Sequence, residues 1–192
     1  MTHEAYRARD NWDFLAAMEK AFDEYAAEFN QTPAFWTLTR RAHLDVLVLR
    51  LGRLYDPHAA ATSLGNLLQT MKENASSAST ILPEELTNVD LTELDREIAQ
   101  VSAADQIVAK LLSIRNEYLA HRGTRHVTAC TFVSLPRLAG DELSTLLTRA
   151  LDLLGKYRER LGYVPLGWGH DEAEELQTLL SLLRAGRDSK IS

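Results

Sequence analysis

Hydrophobic positions recur along most of this chain at three- and four-residue steps, the period of a helix that packs on one side. Trp12, Leu15, Met18, Phe22, Tyr25 and Phe29 mark one face of a first helix ending near Asn30. Gln31-Thr32-Pro33 interrupts it. Thr32 suits an N-cap, and Pro33 falls in the next helix's first turn, where its missing N–H costs nothing. That second helix runs to about Tyr55, with Phe35, Leu38, Ala42, Val46, Leu49 and Arg53 along one stripe. Apolar residues wrap nearly all round at Val46–Leu51, which predicts a central helix. Asp56-Pro57 ends it.

A short third helix fits Ser63 to Lys72 on Leu64, Leu67, Leu68 and Met71. Asn74–Thr80, small and polar, reads as a loop. The fourth helix is the longest, from about Leu91 to Ala120. Leu94, Ile98, Val101, Val108, Leu111 and Leu112 keep its period, Arg115 continues the stripe, and Gly123 stops it. Val127–Val133 reads as extended or a short strand. Gly140-Asp141 caps a fifth helix through Leu161, carried by Leu143, Leu146, Leu147, Ala150, Leu154 and Tyr157. Gly162–Gly169, with Pro165, reads as a rigid turn. A last helix runs from Asp171 to about Ala185 on Leu176, Leu179, Leu180 and Leu183, and Gly186–Ser192 frays. The pattern predicts an all-α bundle of five to six helices in a single domain over residues 1–192. Its core spans about 34–161, with 170–185 as a C-terminal helix.

Composition sharpens this reading. Of 192 residues, 45% are hydrophobic and 25% charged, with only 9 Gly and 5 Pro, so the chain is an ordinary globular one. A net charge of −6 argues against a broad nucleic-acid-coating surface but leaves room for a local basic pocket. Cys130 is the only cysteine, which excludes an internal disulfide and a thiolate zinc cage. The polar N-terminus has no apolar signal segment. The most apolar stretch, Leu44–Leu54, is broken by Asp45, Arg50 and Arg53, so no membrane span is expected and a cytoplasmic protein is.

Chemistry is concentrated in Ser113–Gly123, at the end of the fourth helix. Arg115, Asn116, His121 and Arg122 bring two guanidiniums, an amide and an imidazole into eight residues. These groups suit metal-free RNA cleavage, which must deprotonate a ribose 2′-hydroxyl, protonate the leaving oxygen and stabilise a dianionic phosphorane. Histidine exchanges protons near neutrality, and arginine offers fixed, always-charged donors matched to phosphate oxygens. Asn116 suits orienting the imidazole or holding a phosphate oxygen; Tyr118 suits stacking on a base or plain packing. On one straight helix, however, Arg115 and His121 lie about 120° apart around the axis and about 9 Å apart along it. Either the helix unwinds near His121, or two copies meet across a two-fold axis and share one cleft.

Arg115-Asn116-x-x-x-Ala120-His121 resembles the signature of the HEPN superfamily: Arg, a polar residue, a short gap, then His at a helix end. Phe35–Arg41, Phe-Trp-x-Leu-x-Arg-Arg, and Arg53–Pro57, Arg-Leu-Tyr-Asp-Pro, are similar to segments of its abortive-infection branch, the U-type Abi proteins. The likeness is best over Phe35–Arg122. The resemblance implies a HEPN-like helical bundle that dimerises through the motif helix. It also implies a metal-independent endoribonuclease of toxin–antitoxin or phage-defence type, with a composite site at the homodimer interface. Arg115 and His121 would then be catalytic and Asn116 their polar partner, with Arg122, Tyr118 and Arg125 contacting RNA. RNA, a second copy and an antitoxin protein are the implied partners, with no metal and no cofactor. Glu117 and the acidic total depart from a phosphate-binding surface, and some relatives of this kind bind partners without catalysis. A non-catalytic dimerisation and partner-binding module is the alternative.

Blander roles compete at each position. Arg122 and His121 also suit the negative end of the helix dipole, and Glu117 can pair with His121 one turn on. Asp56 suits a cap or a salt bridge to an arginine of the motif helix. His43, His58, His126 and His170 show no metal-ligand spacing and read as surface or capping residues. Trp12, Trp36 and Phe35 read as core, Trp168 as a possible contact residue, and the acidic run Asp90–Glu97 as a solvated face.

Overall fold

A computed structural model describes residues 1–76, 90–116, 138–160, 162–163 and 172–189. Among these residues there are helices and no strand. The helices are α1 (Thr2–Ala21), α2 (Ala26–Gln31), α3 (Pro33–Leu54) and α4 (Leu64–Ser76). They are followed by α5 (Leu91–Val101), α6 (Gln106–Ile114), α7 (Gly140–Arg160) and α8 (Glu172–Asp188).

The architecture is the expected all-α one, but two of the six predicted helices are each divided. The first stops at Ala21 and restarts at Ala26, with Phe22 turned out to solvent, 54% exposed. The long fourth helix breaks between Val101 and Gln106. There Ser102 returns its hydroxyl to the Ala99 carbonyl, and the Asp105 carboxylate accepts the N–H groups of Ile107 and Val108. A residue that satisfies orphan donors this way starts a new helix. The expected loop at Asn74 is still helical through Ser76. Asn74 donates its side-chain amide back to the Thr70 carbonyl, and Thr70 its hydroxyl to that of Asn66. The expected loop beyond residue 76 and the expected strand at 127–133 lie outside the described residues, as does Cys130.

The chain forms two compact units, one of residues 1–5 and 48–167, the other of 6–47 and 168–192. In the first, α4 lies against α5 and α6 against α7. Its core takes Leu51, Leu54 and Tyr55 of α3, Leu64, Leu68 and Met71 of α4, Leu94 and Val101 of α5, and Val108 and Leu111 of α6. From α7 it takes the heptad-like set Leu143, Leu146, Leu147, Ala150, Leu154 and Tyr157. The predicted face of α7 is therefore the buried one. Ion pairs stitch the rim: Lys72–Asp95, Lys110–Glu142, Arg149–Asp105 and Lys156 with both Glu93 and Glu97. Glu97 is itself buried and accepts the Tyr157 hydroxyl. Burial, then this carboxylate, raise the Tyr157 phenol above its ordinary range.

In the second unit α8 lies against α2, and Met18, Ala21, Tyr25, Phe29, Trp36, Leu176 and Leu180 form its core. The stripe read along α3 does not supply it: Phe35 and Leu38 are 55% and 67% exposed, and Trp36 and Leu47 beside them take the buried face. On α8, Leu179 and Leu183 are likewise exposed while Leu176 and Leu180 are buried. The apolar excess that made α3 look central wraps its whole circumference, so periodicity alone does not choose a face. Glu28, on α2, is buried beside Arg187, whose Nη1 lies 2.7 Å from Oε1, and Arg184, whose Nε lies 3.7 Å away.

Candidate functional site

The site is built where two helices end. Pro57 stops α3, since it offers no N–H to the helix and disfavours helical geometry in the residue before it. The last turn is anchored from below. Tyr55 is buried and donates its hydroxyl 2.7 Å to the Leu146 carbonyl in the middle of α7. That burial pushes its phenol well above the ordinary value, with Arg149 pulling it down and Asp105 up by smaller amounts. Asp56, the next residue, emerges at the rim with its side chain 26% exposed.

Arg115 arrives from the end of α6 and meets this turn. Its Nη1 donates to the Gly52 carbonyl and to Asp56 Oδ2, both at 2.8 Å, and its Nε donates to Asn116 Oδ1 at 3.0 Å. The Gly52 carbonyl belongs to the last turn of α3, where carbonyls lack an intrahelical donor and a nearby cation is favoured by the helix dipole. Arg115 supplies both the donor and the charge. Its stem lies directly on Gly52: a Cβ built there would sit 2.5 Å from Arg115 Cδ and 3.1 Å from Cγ. Glycine at position 52 is thus the slot that admits the arginine.

Asp56 uses its second oxygen to hold the following loop. Oδ1 accepts the His58 N–H at 3.0 Å, a side-chain turn that aspartate makes readily. The loop is then tied to α4 by Asn66, whose side-chain amide reaches the carbonyls of His58 (2.8 Å), Ala59 (3.3 Å) and Ala61 (2.7 Å). The His58 Nδ1 accepts the Ala60 N–H at 3.2 Å while the residue stays exposed.

Of the predicted site residues, the structure brings Arg115 and Asn116 together. Tyr118, His121, Arg122 and Arg125 lie outside the described residues. The expected salt bridge between Asp56 and an arginine of the motif helix is present. Gly52 and Asn66 were not legible; His58, read as a surface or capping residue, is exposed and accepts the Ala60 N–H, and Pro57 with the preceding Asp hinted at a built turn. Arg115 is 17% exposed, and its Nη2 takes no partner among the described residues. It can therefore offer two N–H groups to an anion while its other donors hold it in place. Among the described residues no group of three or more His, Cys, Asp or Glu is set to hold a metal, and no helix is long and apolar enough to cross a membrane. A surface cavity of about 540 Å³ between α5 and α7, lined by Arg96, Glu97, Ser144, Thr148, Arg149 and neighbours, contains none of the motif residues.

The sequence profile of a HEPN-type family described as AbiU2 matches residues 1–179. No curated protein and no solved structure matches the chain.

Proposed function

The chain belongs to the AbiU2 family of HEPN-like, abortive-infection-type proteins, and on that premise we propose that it is a metal-independent endoribonuclease with a composite site at a homodimer interface. In this reading Arg115 stabilises the negative charge that builds on phosphorus. The His121 imidazoles of the two protomers carry the protons, one taking that of the 2′-hydroxyl as its oxygen attacks and the other giving one to the departing 5′-oxygen. Asn116 keeps the guanidinium aimed, and Arg122, Tyr118 and Arg125 hold the strand. The cleavage breaks the phosphorus–5′-oxygen bond and leaves a cyclic phosphate on one fragment and a hydroxyl on the other. Two protomers contribute in this reading, since on a straight motif helix Arg115 and His121 would stand about 9 Å apart along the axis and a second copy would supply the missing partner.

The observation that carries the reading is the pose of Arg115: fixed by Gly52, Asp56 and Asn116, with Nη2 unpartnered among the described residues. Preorganised donors of this sort are worth about 10²–10³ in rate each. The purified chain, free of any antitoxin and in EDTA, is expected to cut mixed RNA, with Arg115→Ala and His121→Ala at least about 100-fold slower. Variants as fast as the parent, or RNA left intact by the parent, would overturn it.

A second reading has one observation of its own. Arg115 already satisfies an orphan carbonyl and a carboxylate, as a purely structural clamp would, and the net charge is −6. In that case the chain is a non-catalytic partner-binding module. RNA retention that weakens with salt and with Arg115→Ala separates the two, since phosphate contacts release counterions.

A further inference from the structure

We propose that His58 is a second RNA-contacting group of this site, presenting a fixed Nε2–H donor beside Arg115 to the phosphodiester bound there; this rests on the endoribonuclease reading above. Both residues hang on one carboxylate: Asp56 Oδ2 accepts from Arg115 and Oδ1 from the His58 N–H. The Arg115 guanidinium and the His58 loop thus share one anchor.

The loop also decides what the imidazole can do. Nδ1 accepts the Ala60 N–H, so it carries no proton in the neutral ring, and the proton must sit on Nε2. A neutral imidazole in that tautomer donates from Nε2 and has no lone pair there to act as a base. His58 thus supplies a hydrogen bond to a phosphate oxygen and leaves proton abstraction to another group. Its placement is over-determined for a surface residue. The main chain is held at N–H by Asp56 and at C=O by Asn66 and by the Ala61 N–H at 2.9 Å, and the ring is held at Nδ1. An exposed side chain fixed at both backbone groups and at one ring atom gives up little further freedom on binding, which is the condition for a useful contact.

The test uses the full chain and a 2′-O-methyl RNA oligonucleotide, which binds but lacks the attacking hydroxyl. Long-range ¹⁵N–¹H spectra of histidine-labelled protein are expected to show His58 as the Nε2–H tautomer, with its Nε2–H signal shifting on adding the oligonucleotide. His58→Ala is expected to weaken binding by about tenfold to a hundredfold, with the unfolding midpoint unchanged, and His58→Gln to recover part of it through its own N–H. An Nδ1–H tautomer, or binding unchanged in both variants while Arg115→Ala loses it, would overturn the role of His58 alone. Binding unaffected by Arg115→Ala, or absent in the parent, would overturn the endoribonuclease reading and this inference with it.

Discussion

Two carboxylates in this molecule each hold an arginine, and they do it in opposite ways. Asp56, in the unit that contains the motif, is partly exposed, and each of its oxygens is in a directed hydrogen bond, one to Arg115 and one to the His58 N–H. Glu28, in the other unit, has a side chain 1% exposed and lies 2.7 Å from Arg187, yet among the described residues neither of its oxygens has a hydrogen-bond partner. The first arrangement spends direction: it aims a guanidinium whose Nη2 has no partner among the described residues. The second spends only charge, closing the end of α8 onto α2 at the cost of taking a carboxylate out of water. A directed, half-open pair suits a site; an undirected, closed one suits a latch.

Removing the cation from the closed pair should have the largest effect. Arg187→Ala leaves Glu28 buried with Arg184, 3.7 Å away, as its remaining cation among the described residues, and is expected to lower stability by about 3 kcal/mol in urea unfolding near neutral pH. Glu28→Gln should cost less, because an amide buries more cheaply than a carboxylate. The reverse order would mean that the Glu28–Arg187 pair does not hold α8 to α2. In the open pair the matching perturbation is Gly52→Ala. A Cβ at 2.5 Å from the Arg115 stem forces the arginine out of its slot. Overpacking of this kind costs about 1–3 kcal/mol, and RNA cleavage should fall along with it. Retained cleavage would show that the depth of Arg115 does not matter.

Asn66→Ala is smaller again. It releases three carbonyls of the His58 loop at the protein surface, so about 1 kcal/mol is expected, read by amide exchange of Ala59–Ala61 rather than by global unfolding. The smallest effect belongs to a partly exposed carboxylate at the rim, Glu93, a baseline for both pairs. The Lys156 hydrogen bond, ahead of opposing desolvation and the charges of Lys156, Arg160 and Arg96, holds the Glu93 carboxyl below its usual 4.5. Its stabilisation is therefore fully present above the unfolded value of 4.5 and is lost as pH falls below that through the folded value. Glu93→Gln should flatten that acid limb of the unfolding midpoint and leave neutral pH nearly unchanged.

The same contrast explains what could be read in the chain beforehand. α7 was fully legible because its apolar residues occupy one face only, so period and burial coincide. The breaks before α2 and α6 were hidden because the period runs through them. Phe22 and Phe29, and Val101 and Val108, stand seven apart, and two turns of helix look alike whether or not the backbone stops between them. Only Asp105, three residues after Ser102, carried a local signal of the second break. At the site, Asp56-Pro57 announced a helix end and a charge available to the motif helix. Gly52 announced nothing, because its meaning is set by a residue 63 positions away. The tautomer of His58 was equally silent, since it depends on a turn closed by Ala60 and tied down by Asn66.

Tyr55 carries a further consequence. Its phenol reaches 91 positions along the chain to a carbonyl of α7, and the residue it immobilises is the immediate neighbour of Asp56. The aim of the arginine is thereby referenced to the most regular helix of its unit rather than to the rim on which it stands. A displacement of α7 at Leu146 is therefore expected to be felt at the turn that carries Asp56.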